Sequence, residues 1–116
     1  MRKSVLLVDR SSNFLILLSD YLRSKDLEIY TAESSEKGWQ LYVKNQPDII
    51  VSCVAMKFKD CGYKFLKQVR SHNLQQPFIF LSAQLNNSIN RENAMKLSAN
   101  AYFSMPFEHD ELYREI

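Results

Sequence analysis

Cysteine is scarce in this 116-residue chain. The two residues, Cys53 and Cys61, stand with seven others between them. That spacing fits neither a zinc pair nor a disulfide framework. Two reduced thiols in a cytoplasmic protein are the expectation. Long apolar runs are missing too. Phe14 to Leu18 is among the longest, whereas a bilayer span needs roughly 18 apolar residues. Met1-Arg2-Lys3 precedes only a short apolar stretch before Asp9, so there is no secretory signal pattern. No membrane partner is expected. A one-signed charge excess is also lacking: 15 Lys and Arg face 13 Asp and Glu, for a net +2 spread along the chain. That is too little to argue for nucleic-acid binding by this segment. Repeats, low-complexity tracts and linkers are absent as well. What remains is 46% hydrophobic and 24% charged, the balance of one ordinary folded domain over residues 1–116.

The apolar pattern switches period along the chain. Ser4 to Val8 reads as a strand buried on both faces. Ser11 and Ser12 offer N-caps for a helix carrying Phe14, Leu15, Leu18, Tyr21 and Leu22. Leu27 to Thr31 alternates as a second strand. Ser34 and Ser35 open a helix with Trp39, Leu41, Tyr42 and Val43, which must stop before Pro47. Ile49 to Val54 is a third strand, followed by a loop with Lys57, Lys59, Asp60 and Gly62. Phe65, Leu66 and Val69 mark a short helical face. Phe78 to Leu81, after Pro77, is a fourth strand. Residues 86–97 read as a polar helix with one thin apolar stripe. Ala101 to Phe103 is a fifth strand, and a last helix starts at Asp110. His72 and His109 read as surface residues. Trp39 and Tyr42 suit a core face better than a partner surface. The chain stops inside the last helix, which suggests an N-terminal piece of a longer protein.

Strands alternating with helices imply an α/β fold with a parallel sheet covered on both faces. In such open sheets chemistry gathers at the carboxyl ends of the strands. Those ends are Asp9, Cys53, Ser82 and Met105.

Four blocks carry a resemblance. Val5-Leu6-Leu7-Val8-Asp9 is similar to the first strand of bacterial response-regulator receiver domains (CheY-like), which ends in two acidic residues. Pro47 to Met56 resembles their third strand, in which the phospho-acceptor aspartate lies three residues before Met. Pro77-Phe78-Ile79-Phe80-Leu81-Ser82-Ala83 resembles the fourth strand, and Ala99 to Phe107 the fifth with its Lys-Pro-Phe turn. The chain is identified as a member of that family of two-component systems. The resemblance implies a flavodoxin-like (βα)5 fold. That is a three-layer α/β/α sandwich whose five-stranded parallel sheet has the order 2-1-3-4-5.

The departures bear on function. The acidic pair is Asp9-Arg10 here, the acceptor position is Cys53, and the phosphate-binding lysine position is Met105. The family's Mg²⁺ needs several oxygen ligands, and a thiolate suits it poorly. The resemblance therefore implies a degenerate phosphoacceptor pocket of Asp9, Arg10, Cys53, Ser82 and Met105, with no metal, no cofactor and no enzymatic activity. Arg10 either pairs with Asp9 over the vacated metal position or points to solvent. Ser82 and Tyr102 stand at the family's hydroxyl and aromatic switch positions. They either fill space or fix the switch in one state. In the second case the face of the fourth helix, fifth strand and last helix is a permanent docking site for a protein partner or a homodimer. DNA would be reached only through a missing output domain, and transcription control is the commonest setting in the family. Asn100-Ala101 stands where one DNA-binding subfamily carries two acidic dimer-face residues.

Three other functions stay open. Cys53 could act as a redox sensor if Arg10 lowered its pKa, with Cys61 as resolving partner. Phosphotransfer could persist on Ser52 or Asp60. A flavodoxin-like cofactor binder would need a glycine-containing phosphate loop after the first strand, and Asp9 to Asn13 has no glycine.

Overall fold

The computed structural model describes residues 2–54, 61–82, 95–96, 98–104 and 107–116. Its strands are β1 (Ser4–Val8), β2 (Glu28–Ala32), β3 (Ile49–Cys53), β4 (Phe78–Ser82) and β5 (Ala101–Ser104). Its helices are α1 (Ser12–Arg23), α2 (Ser35–Asn45), α3 (Cys61–His72) and a C-terminal helix (His109–Glu115). Every strand pairing is parallel and the order is β2-β1-β3-β4-β5, as expected.

The helix starts follow the serine caps. The Ser11 hydroxyl accepts the Phe14 N–H at 3.2 Å, and the Ser34 hydroxyl accepts the Lys37 N–H at 3.1 Å. α2 ends where Gln46 turns into the left-handed region at φ 46°, immediately before Pro47. Alternate strand residues then feed two cores. Leu6, Val8, Ile50, Phe78 and Phe80 pack under Tyr42 of α2 and Phe65, Leu66 and Val69 of α3. Val5, Leu7, Val51, Ile79 and Leu81 pack under Leu15, Leu18 and Leu22 of α1 and Leu112 of the C-terminal helix. Burial on both faces explains why β1, β3 and β4 read as unbroken apolar runs.

Several boundaries differ from the sequence expectation. β2 begins one residue later and takes in Ala32, whose carbonyl accepts the Asp9 N–H at 3.0 Å. β3 stops at Cys53, while β4 and β5 each gain a serine. α3 is a full 12-residue helix that starts at Cys61, so Gly62 is helical and not in a loop. Of the helix expected over 86–97, residues 95 and 96 are helical and the others, apart from those two, lie outside the described residues. The loop positions Lys57, Lys59 and Asp60 lie outside them as well. No helix among the described residues is long and apolar enough to cross a membrane.

The end of the sheet away from the candidate site is tied by side chains. The Arg70 guanidinium donates to the carbonyls of Gln76 at 2.6 Å and Ser98 at 2.8 Å. The buried Gln76 amide donates to the carbonyl of Pro47 at 3.2 Å. Asn100 grips both backbone groups of Phe78, at 2.8 Å each. This structural role explains Asn100 without reference to a dimer face.

Candidate functional site

Parallel pairing brings the ends of β1, β3 and β4 to one edge of the sheet. Val8 pairs with Ser52, and Cys53 pairs with Leu81, so Asp9, Cys53 and Ser82 close the strands side by side. All three are buried. Asp9 is held by its neighbours: its Oδ1 accepts the Ser11 N–H at 2.9 Å. The Cys53 thiol and the Asp9 carboxylate are hydrogen-bonded to each other, and the Arg10 backbone N–H donates to the Cys53 sulfur. The Arg10 side chain is exposed, yet its charge acts on both Asp9 and Cys53. The structure brings Asp9, Arg10, Cys53 and Ser82, four of the five residues expected in the pocket, to the same edge of the sheet. Met105 lies outside the described residues.

Burial governs the protonation of this pair. Desolvation raises the Asp9 carboxyl above its ordinary 3.8, although the Ser11 N–H, the Arg10 charge and the Cys53 thiol all pull it down. Burial, and after it the Asp9 carboxylate, pushes the Cys53 thiol from 9.0 up to about 12. The thiol is therefore protonated at neutral pH, and only a thiolate is a good nucleophile. A redox sensor needs the opposite shift, so the geometry works against that function for Cys53. Cys61 begins α3, and its side chain lies outside the described residues.

The sign of the shift makes a test. A group with a raised folded pKa stabilises the fold below its unfolded value and loses that contribution as pH rises through the folded value. For Cys53 the loss falls between pH 9.0 and about 12. Native-state alkylation at pH 8 should label Cys53 more slowly than a free thiol by at least about tenfold, since the thiolate fraction falls tenfold per unit of pKa. Labelling as fast as a model thiol would refute the buried, protonated state.

Ser82 and Tyr102 lie on adjacent strands. Ser82 pairs with Ser104, and Tyr102 pairs with Phe80. Tyr102 is buried, with only 5% of its surface exposed, and it belongs to the core beneath α3. Its ring meets Phe80 edge-on at 6.5 Å. The ring is therefore turned inward in this structure. Tyr42 is buried and Trp39 half-buried against the same core, as a core-facing aromatic pair should be. His72 is exposed as expected, with its ring edge-on to Trp39 and Tyr42. His109 corrects the expectation of a surface residue: it is half-buried, 5.1 Å from the Tyr21 ring and 6.3 Å from Phe107. Aromatic neighbours from α1 and the preceding loop cover it, and no local pattern in the sequence shows that. Sequence reasoning also missed Gly62, whose amide donates to the Val54 carbonyl at 2.7 Å and seats α3 on the end of β3. Its signal was present, since an isolated glycine near a strand end often marks a close backbone approach. Among the described residues no cluster of three or more His, Cys, Asp or Glu is placed to hold a metal ion.

Comparisons with known proteins agree with this geometry. The family model for the response regulator receiver domain matches residues 5–116. The chain is 32% identical over 108 residues to the transcriptional regulatory protein RprY of Bacteroides fragilis, covering 93% of this chain and 45% of that protein. It spans less than half the length of the curated relatives it matches. A crystal structure from Chloroflexus aurantiacus J-10-fl, assigned as a response regulator, is 32% identical with a TM-score of 0.87, covering 98% of this chain and 94% of that one. The chemotaxis response regulator CheY4 of Vibrio cholerae superposes with a TM-score of 0.88 at 24% identity, over the whole of both chains, and so supports the fold. Sheet order, strand-end site and family match together place this chain in the response regulator receiver domain family of two-component systems.

Proposed function

We propose that this receiver domain signals without accepting a phosphoryl group, as a phosphorylation-independent interaction or dimerisation module. The observation that carries the proposal is the buried Cys53 thiol at the end of β3, bonded to Asp9, in the place that the family resemblance gives to the acceptor aspartate. A protonated thiol is a poor phosphoryl acceptor. Mg²⁺ wants several hard oxygen ligands, and here the Asp9 carboxylate is paired with a soft, protonated neighbour. These residues do not fit the ion. Arg10, in place of a second acid, supplies a positive charge that acts on Asp9 and so opposes a cation there.

The inward Tyr102 ring supports a switch held in one state. The face of the fourth helix, β5 and the C-terminal helix then serves as a standing docking surface for a partner protein. An output domain outside these 116 residues is the natural target. RprY is named as a transcriptional regulatory protein, and DNA control through a following domain is the setting we assign by that kinship. The test is direct. Incubation with acetyl phosphate and Mg²⁺, read by intact mass, should leave the chain unmodified. A stable gain of one phosphate would overturn the proposal.

A further inference from the structure

We propose that the outer edge of β2 is a dimer interface, on which a second copy of the chain adds its own β2 in antiparallel register. The inference is independent of the state of the phosphoacceptor pocket.

β2 is the edge of the sheet, and among the described residues only β1 pairs with it. The Glu28 N–H and the Ala32 carbonyl both bond toward β1. Backbone groups alternate along a strand, so those of Ile29 and Thr31 point outward. An outward carbonyl at an edge usually finds some cover. Here the Arg23 guanidinium of α1 donates to the Ile29 carbonyl at a long 3.4 Å. Beside the strand runs a groove of about 560 Å³, whose lining includes Ile16, Ser19 and Arg23 of α1 and, across from them, Thr31, Glu33 and Lys37. Two of the five α1 residues on that wall are serines, so it leaves room for a backbone to approach. Ile16 on that wall is 56% exposed.

The charges select the occupant. Ile29 packs on the α1 side of the sheet, and Tyr30 and Ala32 on the α2 side. By alternation Glu28 falls on the α2 side; Glu33, one residue past the end of β2, lines the same groove as Arg23. Arg23 belongs to α1 and Lys37 to α2. A two-fold axis perpendicular to the sheet keeps each face on its own side while it reverses the strand. With Ile29 opposite Thr31 of the second copy, the two residues exchange N–H···O bonds. Arg23 then meets Glu33 of the second copy on the α1 face, and Glu28 approaches Lys37 of the second copy on the α2 face. Both pairs are of opposite sign, and each occurs twice. Arg23 releases the Ile29 carbonyl to the incoming N–H and takes a carboxylate in exchange. An unrelated extended peptide could use the same backbone groups, but the matched signs on both faces are a property of this chain against itself.

Sedimentation velocity on the chain over a range of concentrations tests the proposal. A reversible dimer is expected. Arg23→Glu should raise its dissociation constant by at least about tenfold, since like charges brought together across an interface cost several kcal/mol. The double variant Arg23→Glu with Glu33→Arg should restore dimerisation. Thr31→Pro removes an N–H that no strand among the described residues uses, a position edge strands tolerate. It should leave the monomer folded, by circular dichroism, and abolish the dimer. A chain that stays monomeric at every concentration overturns the proposal, including the case in which it binds an extended peptide instead. A dimer unaffected by both Thr31→Pro and Arg23→Glu overturns it too, because the copies would then meet elsewhere.

Discussion

Replacing Phe80 by alanine should destabilise the domain by about 3–5 kcal/mol, the usual cost of deleting a buried aromatic ring. Phe80 has no exposed surface. Its ring is the hub of an aromatic chain, edge-on to Tyr63 at 5.2 Å, Phe78 at 5.0 Å and Tyr102 at 6.5 Å. Each such ring pair adds about 0.5–1.5 kcal/mol beyond the area it buries, so the loss belongs at the upper part of the range. Whole domains hold only about 5–15 kcal/mol. A midpoint drop of roughly 10–20 °C is therefore expected for a chain of this length, read by thermal or urea unfolding. Phe80→Leu separates packing from ring geometry: it keeps an apolar side chain and should cost less than half as much. The alanine variant should also free the Tyr102 ring, which loses the surface it leans on, and tyrosine fluorescence would follow that. A Phe80→Ala protein melting within a few degrees of the parent would mean that the cavity collapses and that the ring network is not what holds this side of the sheet.

The strands were legible because burial on both faces leaves a simple mark. A run such as Val5 to Val8 or Phe78 to Leu81 has few other uses in a domain of this size. The errors lie where a backbone bond decides the boundary. Ala32 joins β2 through its bond to the Asp9 N–H, and no side chain announces that. α3 was underestimated because its first turn holds no acidic residue and opens on Cys61 and Gly62, which look like loop. The site shows the same division. Asp9, Cys53 and Ser82 could be gathered from the chain because strand ends in a parallel sheet converge. The protonation of Cys53 could not. It depends on burial and on the Asp9 carboxylate beside it, and the cation at position 10, which suggested a reactive thiol, is outweighed by both. His109 was misjudged for a related reason, since its cover comes from Tyr21, far away in sequence. The charge match along β2 needs the strand order and the face of each residue, so it became visible only in three dimensions.

Gly62→Ala should be the more damaging of the two glycine-to-alanine changes, at about 3 kcal/mol, the top of the usual range for overpacking. A Cβ built on Gly62 would lie 2.4 Å from the Cys53 carbonyl oxygen, 2.6 Å from that of Val54 and 2.7 Å from the Val54 Cα. All three are backbone atoms at the end of β3, so no rotamer change relieves the clash. The start of α3 must move away instead, which breaks the 2.7 Å bond from the Gly62 N–H to the Val54 carbonyl. Gly38 gives the control within the same protein. A Cβ there would meet Val8 Cγ2 at 3.0 Å and Phe65 Cζ at 3.3 Å, both side-chain atoms that can give way. Alanine also gains about 0.5–1 kcal/mol over glycine inside a helix. Gly38→Ala should therefore change stability little, and Gly62→Ala should lower the urea midpoint far more. Displacing α3 also uncovers the end of β3, so the Cys53 thiol of Gly62→Ala should alkylate faster than in the parent. If the two alanine variants unfold together, the helix seat on Cys53 and Val54 is not rigid. The buried, protonated thiol would then owe its protection to some other contact.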